Sequence, residues 1–350
     1  MTKKQKSVCL MAAVAATALV AKTGIAWGQT TTYTWNGNAG DGIWQTGASQ
    51  TNWDGNVYAP GNGGGNNFVF VDPAYNQSIT TINLTNGHNP NVDNLNLSSS
   101  IVTPIKIVIN GGNAGTHLDM EAPSTGDAMD INATGCEIDS TTVNGSTGVI
   151  QLFGNLGIWS VNSTLFTVNA PIIDTGPFNR GFIKRGNGTL VLGGQSAFDG
   201  ALIAEVGTTQ LNSLANQGYN SSAGTGTGSG ADGIEISNCS SITFRSGLVT
   251  YNGLSISTNR PLTIAKDTRA TPATSDTASF TTLANTVTLN GGIATNTTGV
   301  NPTIFTTTSL GGAGNIIVNT VGITGDLALT KVGTGYVQIN APSNYPGNTQ

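Results

Sequence analysis

Two nineteen-residue segments of this chain align without a gap. Residues 182–200 read FIKRGNGTLVLGGQSAFDG, and residues 329–347, 147 positions later, read LTKVGTGYVQINAPSNYPG. Lys184, Gly186, Gly188, Ser196 and Gly200 recur as Lys331, Gly333, Gly335, Ser343 and Gly347. Phe198 faces Tyr345, while Leu190 and Leu192 face Val337 and Ile339. Copied units of this size stack, because one unit alone cannot bury its apolar face. The unit reads as strand, glycine turn, strand, so the sequence predicts an elongated β-solenoid. Gly186, Gly188, Gly333 and Gly335 are expected to take positive φ at a tight corner. Leu190 and Leu192 should point inward, and Lys184 and Lys331 should be solvated at the surface.

Aliphatic residues two apart recur along the chain and extend the same reading. Ile105/Ile107/Ile109, Ile234/Ile236, Ile242/Phe244 and Leu254/Ile256 alternate in this way. Leu262/Ile264, Val287/Leu289, Ile316/Val318 and Leu327/Leu329 continue the series. Residues two apart share one strand face, so each pair feeds a common core. Strands this short need neighbours about 4.8 Å above and below. Asn252-Gly253 and Asn290-Gly291 are hairpin signals, which keeps an antiparallel sandwich as the alternative. Against it, there is no Cys…Trp…Cys spacing of an immunoglobulin-type sandwich. Asparagine at many turns also suits a solenoid, in which stacked side-chain amides bond along the axis.

The first 28 residues read as a cleaved secretory signal. Lys3, Lys4 and Lys6 precede an apolar run from Val8 to Ala21, and Ala26-Trp27-Gly28 offers small residues for a signal peptidase. Without that segment, 9 basic and 18 acidic residues remain, a net charge of −9. No Lys/Arg cluster is left to grip a phosphate backbone, so nucleic acid is not an expected partner. Charged residues are 9% of the chain, against roughly a quarter in an average protein. Cys136 and Cys239 remain after cleavage. An exported compartment permits a disulfide between them, with two separate buried thiols as the alternative.

Residues 29–67 carry Trp35, Trp44 and Trp53 at nine-residue spacing between Gly/Asn/Thr turns. They read as an N-terminal capping segment shielding the first open strand edge. The competing reading is a carbohydrate-binding module whose indoles stack on sugars. Residues 68–350 form the expected solenoid. Residues 221–233 and 267–279 are low-complexity excursions from it.

The Lys-x-Gly-x-Gly-x-(Leu/Val)-x-(Leu/Ile) pattern, followed by an aromatic and Gly200 or Gly347, resembles the autotransporter-associated β-strand repeat. The start of the Trp segment is similar to the beginnings of large secreted proteins carrying such repeats. The resemblance implies an all-β fold, a right-handed parallel β-helix of passenger type exported to the cell surface of a bacterium or beyond. The first copy closes with AEVGTTQL, whereas the second reaches Gln350 before an equivalent strand. No run of long alternating strands with aromatic girdles follows, so no membrane insertion by this chain itself is expected.

Candidate chemistry is sparse. The acidic segment 117–139 would place His117, Asp119 and Glu121 on one strand face, where they could bind a metal or form a carboxylate pair for glycosidic chemistry. The competing reading is a solvated outer face. GNGGGNN and GGAGN lack the aspartate of calcium-binding repeats. Gly224-Thr225-Gly226-Thr227-Gly228 lacks a surrounding βαβ unit and is read as compositional. No catalytic, cofactor-binding or metal residue is assigned. The expected function is a secreted or cell-surface, non-enzymatic structural or adhesive protein. Its expected partners are surface glycans, other cell-surface proteins and the export machinery. The alternatives are a β-helix polysaccharide lyase or glycoside hydrolase, and the carbohydrate-binding module.

Overall fold

A computed structural model describes residues 31–44, 52–53, 67–71, 79–85, 89–112, 115–122, 127–154, 157–175, 180–227, 242–244, 248–265, 277–296, 306–325, 327–347 and 349–350. Residues 1–30, which hold the expected signal, lie outside this set, as do Ile234, Ile236 and Cys239. The described residues form strands and no helix. Every ladder between strands is parallel except one short hairpin, where Cys136–Val143 meets Ser146–Thr147.

The strand order rises monotonically in each sheet. One eleven-stranded sheet runs from Thr31–Trp35 and Asn67–Val71 to Ile323–Thr324. A second runs from Thr81–Leu84 to Leu327–Val332. The chain visits the first sheet, then the second, then a third side, and returns to the first one strand further on. This topology is consistent with a β-solenoid. The third side holds two separate four-stranded sheets, Asn91–Val92 through Ile172–Asp174 and Ile256–Thr258 through Val337–Ile339. One circuit takes 20 residues, from Lys184 to its register partner Ala204, and the next takes 40, from Ala204 to Phe244.

Alternation builds the core. Thr81–Leu84, Thr286–Leu289 and Asn315–Val318 each alternate half-buried and buried positions. Inward residues of successive strands stack in register: Ile82, Ile107, Ile138, Val168, Leu192 and Leu211 form one fully buried column. Trp159 and Phe182 stack at 4.0 Å and 14° between neighbouring circuits. Most period-two pairs lie where the sequence puts them. Leu254 does not, being 82% exposed just after the Leu248–Tyr251 strand.

Stacked amides run along the axis. Asn340 Nδ2 donates to Asn319 Oδ1 (3.2 Å), Asn319 Nδ2 to Asn290 Oδ1 (3.2 Å), and Asn290 Nδ2 to Ser257 Oγ (2.6 Å). Asn290-Gly291 therefore turns a corner and makes no hairpin. The hairpin forms at Asn144-Gly145, where φ is 51° and 80°, values that suit a two-residue turn with both centres left-handed.

The two repeat copies share local geometry but occupy different sides. Phe182–Arg185 and Thr189–Leu192 join the first sheet to the second. Leu327–Val332 and Val337–Ile339 join the second to the third. The repeat thus encodes a corner, not a whole circuit. Gly186 and Gly333 have φ of 78° and 73°, as expected. Gly188 and Gly335 do not share the positive φ expected of them. They are glycine because the backbone passes too close: a Cβ would lie 1.7 Å from the Ser163 carbonyl oxygen or 1.8 Å from that of Gly314.

Lys184 also corrects the sequence reading. It sits on the inward column between Trp159 and Ala204 and is 0% exposed. Its Nζ donates to the carbonyls of Gly186 (2.6 Å), Gly188 (2.5 Å) and Val206 (2.7 Å). The ammonium thereby pins its own glycine corner to the following circuit. Lys331 Nζ donates to the equivalent carbonyl of Gly333 but is exposed.

Candidate functional site

Three regions could meet a ligand: the tryptophans, the acidic strand, and the outer face of the second sheet. The tryptophans are closed to solvent. Trp35, Trp44 and Trp53 are at most 1% exposed. Trp44 and Trp53 pack edge to face at 5.2 Å, and Trp53 Nε1 donates to the Trp44 carbonyl (3.1 Å). Indoles enclosed in this way leave no ring face for a sugar. We expect soluble glycans to leave their fluorescence unchanged. Trp44→Ala should instead cost about 3–5 kcal/mol in a urea titration, as a large buried ring is lost.

The acidic strand, His117–Ala122, lies on the third side between Asn91–Val92 and Val149–Gly154. Leu118 and Met120 turn into the core, so His117, Asp119 and Glu121 share the outer face as the alternation requires. Their polar atoms serve one another and the sheet. His117 Nδ1 contacts Asp119 Oδ1 closely, and the His117 amide donates to Asn89 Oδ1 (3.0 Å). Asn91 Nδ2 donates to Glu121 Oε2 (2.8 Å). Among the described residues, no three His, Cys, Asp or Glu side chains gather as a metal would need. Cys136 is a buried free thiol whose Sγ accepts the Ile105 amide (3.3 Å), and burial pushes its pKa up.

The described part of the glycine run, 224–227, has a partner that the sequence did not reveal. Arg260, 1% exposed, sends Nη1 to the carbonyls of Ala223 (2.9 Å) and Gly224 (3.1 Å). A Cβ on Gly226 would lie 2.7 Å from the Arg260 Nε. The loop therefore cradles a cation with carbonyls, the reverse of a phosphate loop, which presents amide hydrogens. Ser221, Ser222 and Ala223 are buried as well. The first part of the expected excursion is thus packed structure, and residues 228–233 lie outside the described set. Thr277–Thr282, at the end of the other excursion, is a strand.

The third region was missed because no single motif marks it. In the second sheet, Thr189, Thr208, Leu248, Ser279, Ser309 and Thr330 are successive register partners. All six are half-buried on the outer face. Beside them run Thr167, Val191, Gln210, Thr250 and Thr281. Neither line carries a charge. Earlier in the same sheet the outer face is ionic: Lys106 pairs with Glu137 (2.5 Å) and Asp139 (3.1 Å). The uncharged line spans five strand spacings, about 24 Å. Only the register between strands makes it visible.

No protein-family model, curated protein or solved structure was found to match the chain.

Proposed function

We propose that this chain is an exported, non-enzymatic β-solenoid that holds an uncharged face out to neutral surface glycans. The carrying observation is the parallel stack with its line of hydroxyls and aliphatics on one side. Parallel strands joined by crossovers wind right-handed in nearly all known cases, which supports a right-handed β-helix. Trp35 ends the Thr31–Trp35 strand, outermost in the first sheet, and a bridge links it to Trp53. That placement supports the tryptophan segment as a cap. The basic, then apolar start of the sequence supports export.

An uncharged hydroxyl face suits neutral polysaccharide better than a polyanion, which needs a basic patch. The mutual pairing on the acidic strand favours a structural role for those residues over polysaccharide cleavage. Co-sedimentation with insoluble cellulose, chitin and β-1,3-glucan tests the reading. Wild-type protein should bind at least one of them. The Ser279→Lys/Ser309→Lys variant, which places two charges on the line, should lose at least about tenfold in affinity, the penalty of burying unpaired charge. Binding to none, or equal binding by the folded variant, would overturn the proposal.

A further inference from the structure

Asp174 and Asp199 meet where two consecutive circuits touch. Asp174 ends the Ile172–Asp174 strand on the third side, and Asp199 lies in the corner before Leu202–Ala204. They are 25 residues apart in sequence, and their carboxyl groups are hydrogen-bonded to each other. The backbone draws them together: the amides of Arg180 (3.3 Å) and Asp199 (3.5 Å) both point at Asp174 Oδ2. Asp199 Oδ1 is buried and has no hydrogen-bond partner. Two carboxylates in contact cannot both stay ionised at low cost. They are also too close for the acid–nucleophile spacing of a glycosidase, about 5 Å or more.

We infer that a proton held by Asp199 and bonded to Asp174 clips these two circuits together, and that ionisation of Asp199 releases the clip. Burial, then the hydrogen bond and charge of Asp174, push the Asp199 pKa up to about 7. Among the described residues, the charged groups on the adjoining elements include Arg180, Asp119, Glu121 and Arg260, the last bound to the carbonyls of the 223–225 segment whose Thr225 amide donates to Phe198 O (2.9 Å). Arg180 sends Nη1 to the carbonyls of Leu152 (3.1 Å) and Thr175 (2.7 Å) and lies over the Phe153 ring. Leu152 is the register partner of Asp174, and the residues on either side of it, Gln151 and Phe153, pair with Asp119 and Glu121 on the adjoining strand.

The sign follows from proton uptake. Between the ordinary carboxyl value near 4 and about 7, the folded state holds a proton that the unfolded state has lost. The clip is therefore fully present below about pH 4 and is lost as pH rises through about 7. Hydrogen exchange of the amides of Asp199, Gly200 and Ala201, corrected for intrinsic rate, tests this in the full chain. In wild type, exchange at these amides should rise about tenfold or more between pH 5 and pH 8 through local opening. In Asp199→Asn, which keeps a donor toward Asp174 and cannot ionise, it should stay flat. Amides of the remote Asn315–Val318 strand should not respond in either protein. Wild-type exchange that does not change with pH, or an equal rise in Asp199→Asn, would overturn the inference.

Discussion

Replacing Gly188 by valine should cost about 4 kcal/mol or more and lower the urea midpoint accordingly, the range reached when a packed site has nowhere to move. The added Cβ would lie 1.7 Å from the Ser163 carbonyl and 2.9 Å from that of Val161, both in the preceding circuit. Rotamer changes cannot relieve this contact, because both obstacles are backbone. The corner would have to move away from its neighbour and lose the Gly188 amide bond to Val161 O (2.9 Å). Gly145→Ala is the control. That residue, unlike Gly188, has a positive φ of 80°, but nothing lies within 4 Å of an added Cβ, so the cost should stay near 1 kcal/mol. Equal losses for the two variants would remove close backbone approach as the reason for glycine at 188.

Lys184→Met should destabilise the chain by about 2–5 kcal/mol, because a buried carbonyl left without its donor costs about 1–3 kcal/mol. Methionine fills most of the volume, so the loss reports on hydrogen bonding. The Gly188 carbonyl keeps the Thr208 amide (3.1 Å), which leaves Gly186 and Val206 to lose a donor. Lys331→Met, at the exposed counterpart, should cost under about 1 kcal/mol. A pH series adds an independent reading. Burial pushes the Lys184 pKa down from 10.5 to about 8. Between those values the unfolded state holds the extra proton, so wild-type stability should rise from about pH 8 toward pH 10.5. That Lys184 component should be absent from Lys184→Met. Equal midpoints for the two methionine variants would remove the lysine clamp from the account.

Much of this architecture was legible in the sequence because β-strands write burial with period two. Leu262/Ile264, Val287/Leu289 and Ile316/Val318 needed no more than alternation. The asparagine ladder was legible for a related reason, since stacked circuits bring equivalent corners together. Leu254 misled because a period-two pair looks the same when one member falls in a turn. Lys184 misled because an isolated lysine in sequence carries no sign of the three carbonyls around it. The Arg260 cradle joins residues 34 or more apart, and the Asp174–Asp199 contact spans 25. Neither leaves a local pattern. The uncharged outer face was hidden for the same reason. Thr189 and Thr330 belong to one line only once circuits of unequal length have been laid in register.

The stacking itself is most directly tested by electron–electron distances between pairs of nitroxide labels on the second sheet. Labels at Thr189 and Thr330 are five strand spacings apart in register, and labels at Lys106 and Val332 are eight apart. Stacked parallel strands should give narrow distributions near about 24 Å and about 38 Å, in proportion to the number of spacings. Distances out of that proportion, or broad distributions in a folded sample, would contradict a continuous parallel stack.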